Sequence, residues 1–416
     1  MIIYSATGLG GCNQVERETP GDDGSLRHSR RAVAADFPDS GGVPPRTRRL
    51  ILAGKQGPEI AGLLHRLLRL SVHALPQAQV HGEVAFTMSG MQKPGGSWQL
   101  RSSGVSPRYG AITALGLLRL PEHDQRDILA GDTGRDLIGR LTKRLDEESN
   151  RGDVALLCWA AAEAEHSELP HALQRLADVD RSDGPVDTVA AAWVVAALVA
   201  ARRHADVEEH LAAARDRLLA ARNVVYPHVI GGTGPWYRSH VGSFADQVYP
   251  IQSLARLHSS ADDPAALATA DAVAAAICRA QGDSGQWWWH YDARNGEVVE
   301  GYPVYSVHQH AMAPMALLDL ADAGGQNCLD AICRGLLWLA RPTETSEDLV
   351  LDEPPVIWRK VARGDRRKVV RGLRAASTRL RPGMCLPPLD RVFRPGWVDH
   401  ECRPYELGWL LLAWLT

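Results

Sequence analysis

Six short segments, each opening on a polar or ionisable cluster and then running apolar, constrain this chain more than any other feature. They are RYGAITALGLLRL from Arg108, GDVALLCWAAAEA from Gly152, DTVAAAWVVAALVAAR from Asp187, DQVYPIQSLARLH from Asp246, HQHAMAPMALLDL from His308 and RPYELGWLLLAWL from Arg403. All are rich in Ala, Leu and Val, and several are apolar nearly all round, which marks a buried helix rather than one lying on a surface. More polar stretches with helical periodicity precede them at about 58–75, 123–147, 168–177, 205–222, 264–281 and 325–340. The first has Pro near its start and leucines at 63, 64, 67, 68 and 70, the spacing of one helix face. Buried and surface helices in alternation predict an all-α (α/α)6 toroid, an inner ring wrapped by an outer one, with long loops at one mouth. The N-termini of the inner helices and their polar clusters then gather at that mouth. Strand signals are few, with 298–307 and 348–360 reading as short hairpins in the mouth loops.

The 416 residues divide into a tail over 1–50, rich in Gly, Pro, Asp and Arg and without periodicity, and a single toroid domain over 51–416. The tail is expected to be disordered, with order beginning near Pro58. A net charge of -3 offers nothing to attract nucleic acid. The longest apolar run, 189–201, is shorter than the roughly 20 residues of a membrane span. The seven cysteines form no CxxC pair and no secretory signal is visible, which predicts reduced thiols in a cytoplasmic protein. GxGxxG, Walker A, HExxH and GxSxG contexts are missing, so neither cofactor nor metal is expected. The longest intervals follow the inner segments at Asp187, Asp246 and His308, which puts the expected site on residues 223–310 and 341–409.

Two segments share one pattern, Gln92-Lys-Pro-Gly-Gly-Ser-Trp98 and Gln281-Gly-Asp-Ser-Gly-Gln-Trp287. Each has Gly for a tight turn, a Gln amide to bond loop backbone or a helix end, and a Trp to cover the gap between helices. The pattern resembles the QW repeat of terpenoid cyclase and protein prenyltransferase toroids, which implies a helix-linking role between outer and inner helices. The acidic Asp-x-Asp-Asp motif of the cyclases is not intact here, and Asp399-His-Glu-Cys402 departs from the zinc-ligand spacing of the prenyltransferases. A second stretch, Gly285-Gln-Trp-Trp-Trp-His-Tyr-Asp292 with the following Val307-His-Gln-His-Ala-Met-Ala-Pro, resembles six-hairpin glycosidases, whose Gly-Leu-Trp-Tyr-His loop precedes an inner helix of similar texture. Two histidines stand here where those enzymes show Arg-Gly-Asn-Gly, so their catalytic roles do not transfer by residue. The region is similar as well to uncharacterised bacterial toroids.

The candidate catalytic residues are His308, His310, Tyr305, Asp246 and Glu406. A histidine at a helix N-terminus is biased toward its neutral, basic form. On an α-helix His308 and His310 point about 200° apart, so one of them turns to the cavity and they do not share a metal. Asp246 and Glu406 suit the carboxylate pair of glycoside hydrolysis, whereas Asp153 and Asp187 read as helix caps. The candidate substrate-binding residues are Trp287, Trp288 and Trp289, at least one of which faces the cavity, with His240, Tyr249, Glu300, Tyr302 and Arg403. Arg403 suits an anionic group, or equally an internal pair with a glutamate that orders the last loop. The basic run 360–381 reads as a solvated amphipathic helix.

These residues support an enzyme acting on an oligosaccharide or other small-molecule substrate. The first expectation is a carbohydrate-active toroid whose glycan bears a uronate, acting as lyase, epimerase or hydrolase through acid/base catalysis. Two alternatives stand beside it. One is terpenoid cyclase- or prenyltransferase-like chemistry on an isoprenoid; the other is a non-catalytic toroid that binds glycan or protein.

Overall fold

A computed structural model describes residues 47–181, 187–221, 236–365, 368–384 and 386–416, all within the unit Pro44–Thr416. The expected tail therefore lies almost wholly outside the described residues. Its boundary shifts, however, because a first helix, α1 (Arg48–Gly54), precedes Pro58, with Thr47 capping it through Leu50 N. Arg49 of this helix is buried.

Each apolar segment becomes a helix that follows a more polar one in the chain. The pairs are α2 (Pro58–Ala74) with α3 (Pro107–Leu117), the broken outer segment α4 (Glu122–Ile128) and α5 (Gly134–Thr142) with α6 (Arg151–Glu163), and α7 (Leu169–Asp180) with α8 (Thr188–Ala201). They continue with α9 (Glu208–Ala220) and α10 (Ala245–Ala261), α11 (Pro264–Arg279) and α12 (Ala313–Asp322), then α13 (Leu329–Ala340) and, after α14 (Val369–Leu380) and α15 (Pro387–Val392), α16 (Tyr405–Leu415). Neighbour contacts run α3 to α6, α8, α10, α12, α16 and back to α3, a closed ring, with α2, α5, α7, α9, α11 and α13 packed outside it. This is the (α/α)6 toroid. The reason is visible in α8 and α16, which are buried almost from end to end, whereas α2 and α7 bury one stripe.

The ring closes where α16 meets α3, and small residues permit it. A Cβ on Gly116 would lie 2.3 Å from the Gly408 carbonyl oxygen, and one on Gly408 would lie 2.7 Å from that of Ile112. Only glycines let the two backbones come this near.

Every described strand falls in a connection from an outer to an inner helix, so the strands gather at the mouth. β1 (Gln79–Val80), β2 (Glu83–Gln92) and β3 (Trp98–Val105) precede α3; β4 (Val241–Ser243) precedes α10; β5 (His290–Asp292), β6 (Val298–Glu300) and β7 (Val304–Tyr305) precede α12. β8 (Val350–Leu351), β9 (Val356–Ile357), β10 (Lys360–Arg363), β11 (Pro395–Asp399) and β12 (Glu401–Cys402) precede α16. They form small antiparallel sheets ordered β1-β2-β12 with β3 on β2, β11-β10-β7, β4-β5-β6 and β8-β9.

The two Gln…Trp segments part ways. Gln281 donates to the carbonyls of Gly285 and Ala331, both at 2.9 Å, tying the end of α11 to α13, and Trp287 is fully buried, as a helix-linking role demands. Gln92 instead pairs with Trp98 across the β2–β3 hairpin. That copy is a strand turn and links no helices. The five described cysteines, 158, 278, 328, 333 and 402, are free. No helix among the described residues is long and apolar enough to cross a membrane.

Candidate active site

Side chains fill the ring in layers toward the mouth. At the C-terminal ends of the inner helices lies an ionic layer. Glu163 of α6 accepts from Arg119, just past α3, at 2.6 Å and from Arg256 of α10 at 3.2 Å. Arg256 also donates to Asp319 of α12 at 2.9 Å, and Arg49 reaches the same carboxylate at 2.5 Å. Burial alone would raise the Glu163 pKa, but the Arg256 and Arg119 guanidiniums hold it down at about 2.

An aromatic floor lies above. Trp159 of α6 packs on Trp409 of α16 with centroids 5.7 Å apart, and Trp193 of α8 meets Tyr249 of α10 edge-on at 5.0 Å. The Trp409 indole N–H donates to the Tyr249 hydroxyl at 3.0 Å, joining α16 to α10, helices that are not neighbours in the ring. The Arg256 guanidinium, 4.9 Å from the Trp159 ring, ties this floor to the ionic layer.

Asp246 and Glu406 sit one turn nearer the mouth. Each is three residues before a floor residue, Tyr249 or Trp409, so the helix faces aligned by that hydrogen bond also carry the two carboxyls. Asp246 Oδ2 accepts from the backbone N–H of Ser243 at 2.7 Å and from its hydroxyl at 2.8 Å. Oδ1 makes no hydrogen bond among the described residues. Asp246 is enclosed by protein yet keeps some solvent contact, as a cavity-wall group does. Burial pushes its pKa up to about 6, against the Ser243 hydrogen bonds and with help from the nearby Asp187. Glu406 is fully buried with neither oxygen hydrogen-bonded. Burial pushes it up to about 8, although Arg359 and Arg403 oppose the rise.

Cations crowd the α10–α12 side of the mouth. Trp289 and Tyr305 pack at a tilt of 50° with centroids 4.4 Å apart; Arg371 lies 5.3 Å from the Trp289 ring, and Arg359 and Lys360 lie 5.7 and 5.6 Å from Tyr305. Arg359 and Lys360 are paired with Asp399 and Glu401. Among the described residues Arg371 makes no ion pair, and Arg238 approaches the ring of His290 at 3.5 Å. Burial and then the neighbouring Arg238 depress the Arg371 pKa, and Lys368 is lowered by burial and by Arg371, Arg359 and Arg238. Like charges this close, with carboxylates paired to Arg359 and Lys360 but no ion pair on Arg371 among the described residues, make a site that favours an anion.

Other expected residues are packed in the core or hold loops together. His308 and His310 lie on a π-turn (His308–Met312), not on an α-helix, so the about 200° divergence does not apply and both are buried. The turn follows from Pro314, which lacks an N–H and whose ring crowds the carbonyl of His310. That carbonyl accepts from the Trp414 indole at 3.0 Å instead. Burial holds both imidazoles neutral, down at about 3. His310 is fully enclosed, and His308 packs between Phe244 and Tyr305.

Of the three tryptophans, Trp287 packs in the core against Phe244, Trp288 lies edge-on to Tyr302, and only Trp289 joins the mouth cluster. Tyr302 donates to Glu344 at 2.9 Å and Glu300 pairs with Arg363 and Arg374; both are loop staples. His240 bonds the Thr378 hydroxyl, docking α14. Arg403 pairs with Glu401 at 2.7 Å and donates to the Phe86 carbonyl at 3.0 Å, the loop-ordering role. Asp187 caps α8 through Ala190 N as expected, but α6 is capped by Asn150, and Asp153 pairs with Arg108. The basic run is not merely solvated, because Arg363, Arg371 and Arg374 turn inward.

Sequence reasoning missed Arg238, Arg359, Arg371, Trp193, Trp409 and the aromatic residues of β2 and α3. One signal was available, since Trp409 and Tyr249 each follow a candidate carboxylate at helical spacing. Among the described residues no group of three or more His, Cys, Asp or Glu is arranged to hold a metal.

No family model matches the sequence, and no curated protein matches it. Solved structures do resemble the fold. An unsaturated glucuronyl hydrolase specific for heparin aligns with TM-score 0.52 and 12% identity over 85% of this chain and 95% of its own. One from Streptococcus agalactiae aligns with TM-score 0.53 and 9% identity over 85% and 90%. One from Bacillus sp. GL1, responsible for degradation of glycosaminoglycan, aligns with TM-score 0.50 and 14% identity over 85% and 95%. At these identities the likeness is one of fold, the six-hairpin toroid.

Proposed function

We propose that this toroid hydrolyses a glycan ending in a uronate. What supports the proposal is that Asp246 and Glu406, two carboxyls with raised pKa values, each stand three residues before one of the two side chains, Tyr249 and Trp409, that are hydrogen-bonded to each other across the ring. At neutral pH Glu406 keeps its proton and acts as general acid toward the glycosidic oxygen, while Asp246 is largely ionised and acts as base toward water. Environments that push two carboxyls to different values divide the acid and base roles between them. Arg371, which makes no ion pair among the described residues, holds the uronate carboxylate with Arg238 beside it, and Trp289 packs along the sugar.

The structural neighbours support the same substrate class, since they are named as glucuronyl hydrolases. Free thiols support a reducing, cytoplasmic setting. An isoprenoid would suit the aromatic floor but leaves the cations of the mouth without a partner.

The test is turnover of unsaturated chondroitin and heparin disaccharides by wild type, Asp246→Asn and Glu406→Gln. Each substitution should lower kcat by about 10²–10⁴-fold with folding retained. If both folded variants keep wild-type turnover, the assignment is wrong. Arg371→Ala should chiefly raise KM for the uronate substrate.

A further inference from the structure

The outer helices α11 and α13 are joined by hydrogen bonds on either side of a pair of thiols. The Asp271 carboxylate of α11 accepts from the backbone N–H of Gln326 at 2.8 Å, and the Asp271 carbonyl accepts from the Gln326 amide. The chain comes this close because residue 325 is glycine, where a Cβ would lie 2.8 Å from Asp271 Oδ1. Further along, Gln281 donates to the Ala331 carbonyl at 2.9 Å and accepts from Arg334 at 2.7 Å. Cys278 lies between Asp271 and Gln281 in the chain, and Cys328 between Gln326 and Ala331. Cys278 is two helical turns beyond Asp271 and about 20° from it around the helix, so both face the start of α13. There the two thiols meet, with the Cys278 S–H hydrogen-bonded to the Cys328 sulfur.

This bond favours the thiol at Cys278 and the thiolate at Cys328. Cys278 is accordingly pushed up, and Cys328 is held below the usual thiol value against burial and the nearby Asp271. Cys328 also stands at the N-terminus of α13, where negative charge is favoured. Burial instead raises Cys158, Cys333 and Cys402. Cys278 is half-buried in the last turn of α11, so a small oxidant reaches the pair from solvent. Both residues sit at helix ends, where the backbone yields enough for the sulfurs to reach a bonded distance of about 2.05 Å.

We infer that Cys278 and Cys328 are a redox couple, which a hydroperoxide closes into a disulfide locking α11 to α13. The Cys328 thiolate attacks one peroxide oxygen, the O–O bond breaks, and the hydroxide that leaves takes up the proton Cys328 has shed. The Cys278 sulfur then attacks the sulfenic acid on Cys328. The S–O bond breaks, and its hydroxide leaves as water with the Cys278 proton. Two thiols are oxidised to one disulfide, and the peroxide is reduced to two waters. The bridge ties together the ends of the stretch that holds β5, β6, β7, the π-turn and α12, and with them Trp289 and Tyr305. Closing a loop of about 50 residues restricts the unfolded chain, so the oxidised form is the more stable one. The couple does not depend on what the mouth binds.

The test treats the full chain with stoichiometric hydrogen peroxide and maps its cysteines by mass spectrometry after non-reducing digestion. One new linked pair of peptides should appear, Cys278 to Cys328, lighter than the two separate peptides by two hydrogens. Dithiothreitol should restore both. The oxidised chain should melt a few degrees above the reduced one. Cys278→Ser should abolish the bridge and leave a sulfenic acid on Cys328 that dimedone labels, whereas Cys328→Ser should leave Cys278 unlabelled. If either variant fails to fold, the wild-type map decides. Peroxide that oxidises other cysteines while these two stay reduced, or that joins either of them to Cys333, overturns the couple. An oxidised chain that melts no higher than the reduced one overturns the lock.

Discussion

At the scale of single residues, burial without a counterion controls the chemistry. Glu406 near 8 and Asp246 near 6 bracket neutrality, so kcat/KM should follow a bell with limbs near those two values. The acid limb should disappear in Asp246→Asn and the alkaline limb in Glu406→Gln, measured on residual activity. The raised Glu406 pKa has a consequence for stability. From the ordinary glutamate value of 4.5 to about 8, the folded state binds a proton that the unfolded state has released, so this group makes stability fall as pH rises across that window. Glu406→Gln should therefore gain more in Tm over wild type at pH 8 than at pH 5. His308 and His310 act in the opposite sense. Their folded values, down at about 3, lie below the ordinary 6.5, so their contribution is complete above 6.5 and is lost as pH falls toward 3. Unfolding curves from pH 7 to pH 4 should show a steep loss of stability, made shallower by His310→Gln. If stability is flat over that range, the histidines are not held neutral in the core.

At the scale of elements, local chemistry that departs from regular helix places what the site needs. Pro314 makes the turn before α12 a π-turn and frees a carbonyl for Trp414. Pro250 within α10 likewise leaves the Asp246 carbonyl outside the helical ladder at the mouth. Gly116 and Gly408 bring α3 and α16 together so that the ring closes. In an exposed helix Gly→Ala stabilises by about 1 kcal/mol. Here Gly408→Ala should instead destabilise by about 1–3 kcal/mol, because the new methyl meets backbone that cannot move aside. Thermal or urea unfolding of the variant checks this, and a stabilised Gly408→Ala would show that the helices stand further apart.

At the scale of the whole molecule, the ionic layer links elements distant in the chain. Asp319 binds Arg49 of α1 and Arg256 of α10, and Arg256 binds Glu163 of α6. Asp319→Ala would leave two guanidiniums short of a buried partner and should cost about 3–5 kcal/mol, read from denaturant unfolding. Arg49 also donates to the Ala413 carbonyl near the end of α16, and Thr47 to that of Trp414, so the first described helix holds the last. Deleting residues 1–46 should leave Tm near wild type, whereas deleting 1–56 should lower it markedly. Equal melting of the two truncations would show that α1 contributes nothing to closure.

The sequence by itself determined the helices, their alternation and the end at which the polar clusters gather, because an all-round apolar segment has one stable location and a hairpin of helices one way to bury it. It also marked Asp246 and Glu406, since Asp246 begins one such segment and Glu406 lies in the first turn of another. Their setting was decided by the tertiary structure alone. Nothing local to Tyr249 and Trp409 says that they meet across the axis, nor that Arg371, on a helix that reads as solvated, turns inward over Trp289. The histidines show the converse, because a helix N-terminus favours a neutral imidazole in any context, but only packing decides whether it faces a cavity or a core. Short-range periodicity fixes which face of an element is apolar; which charges are left without partners depends on contacts between residues far apart in the chain.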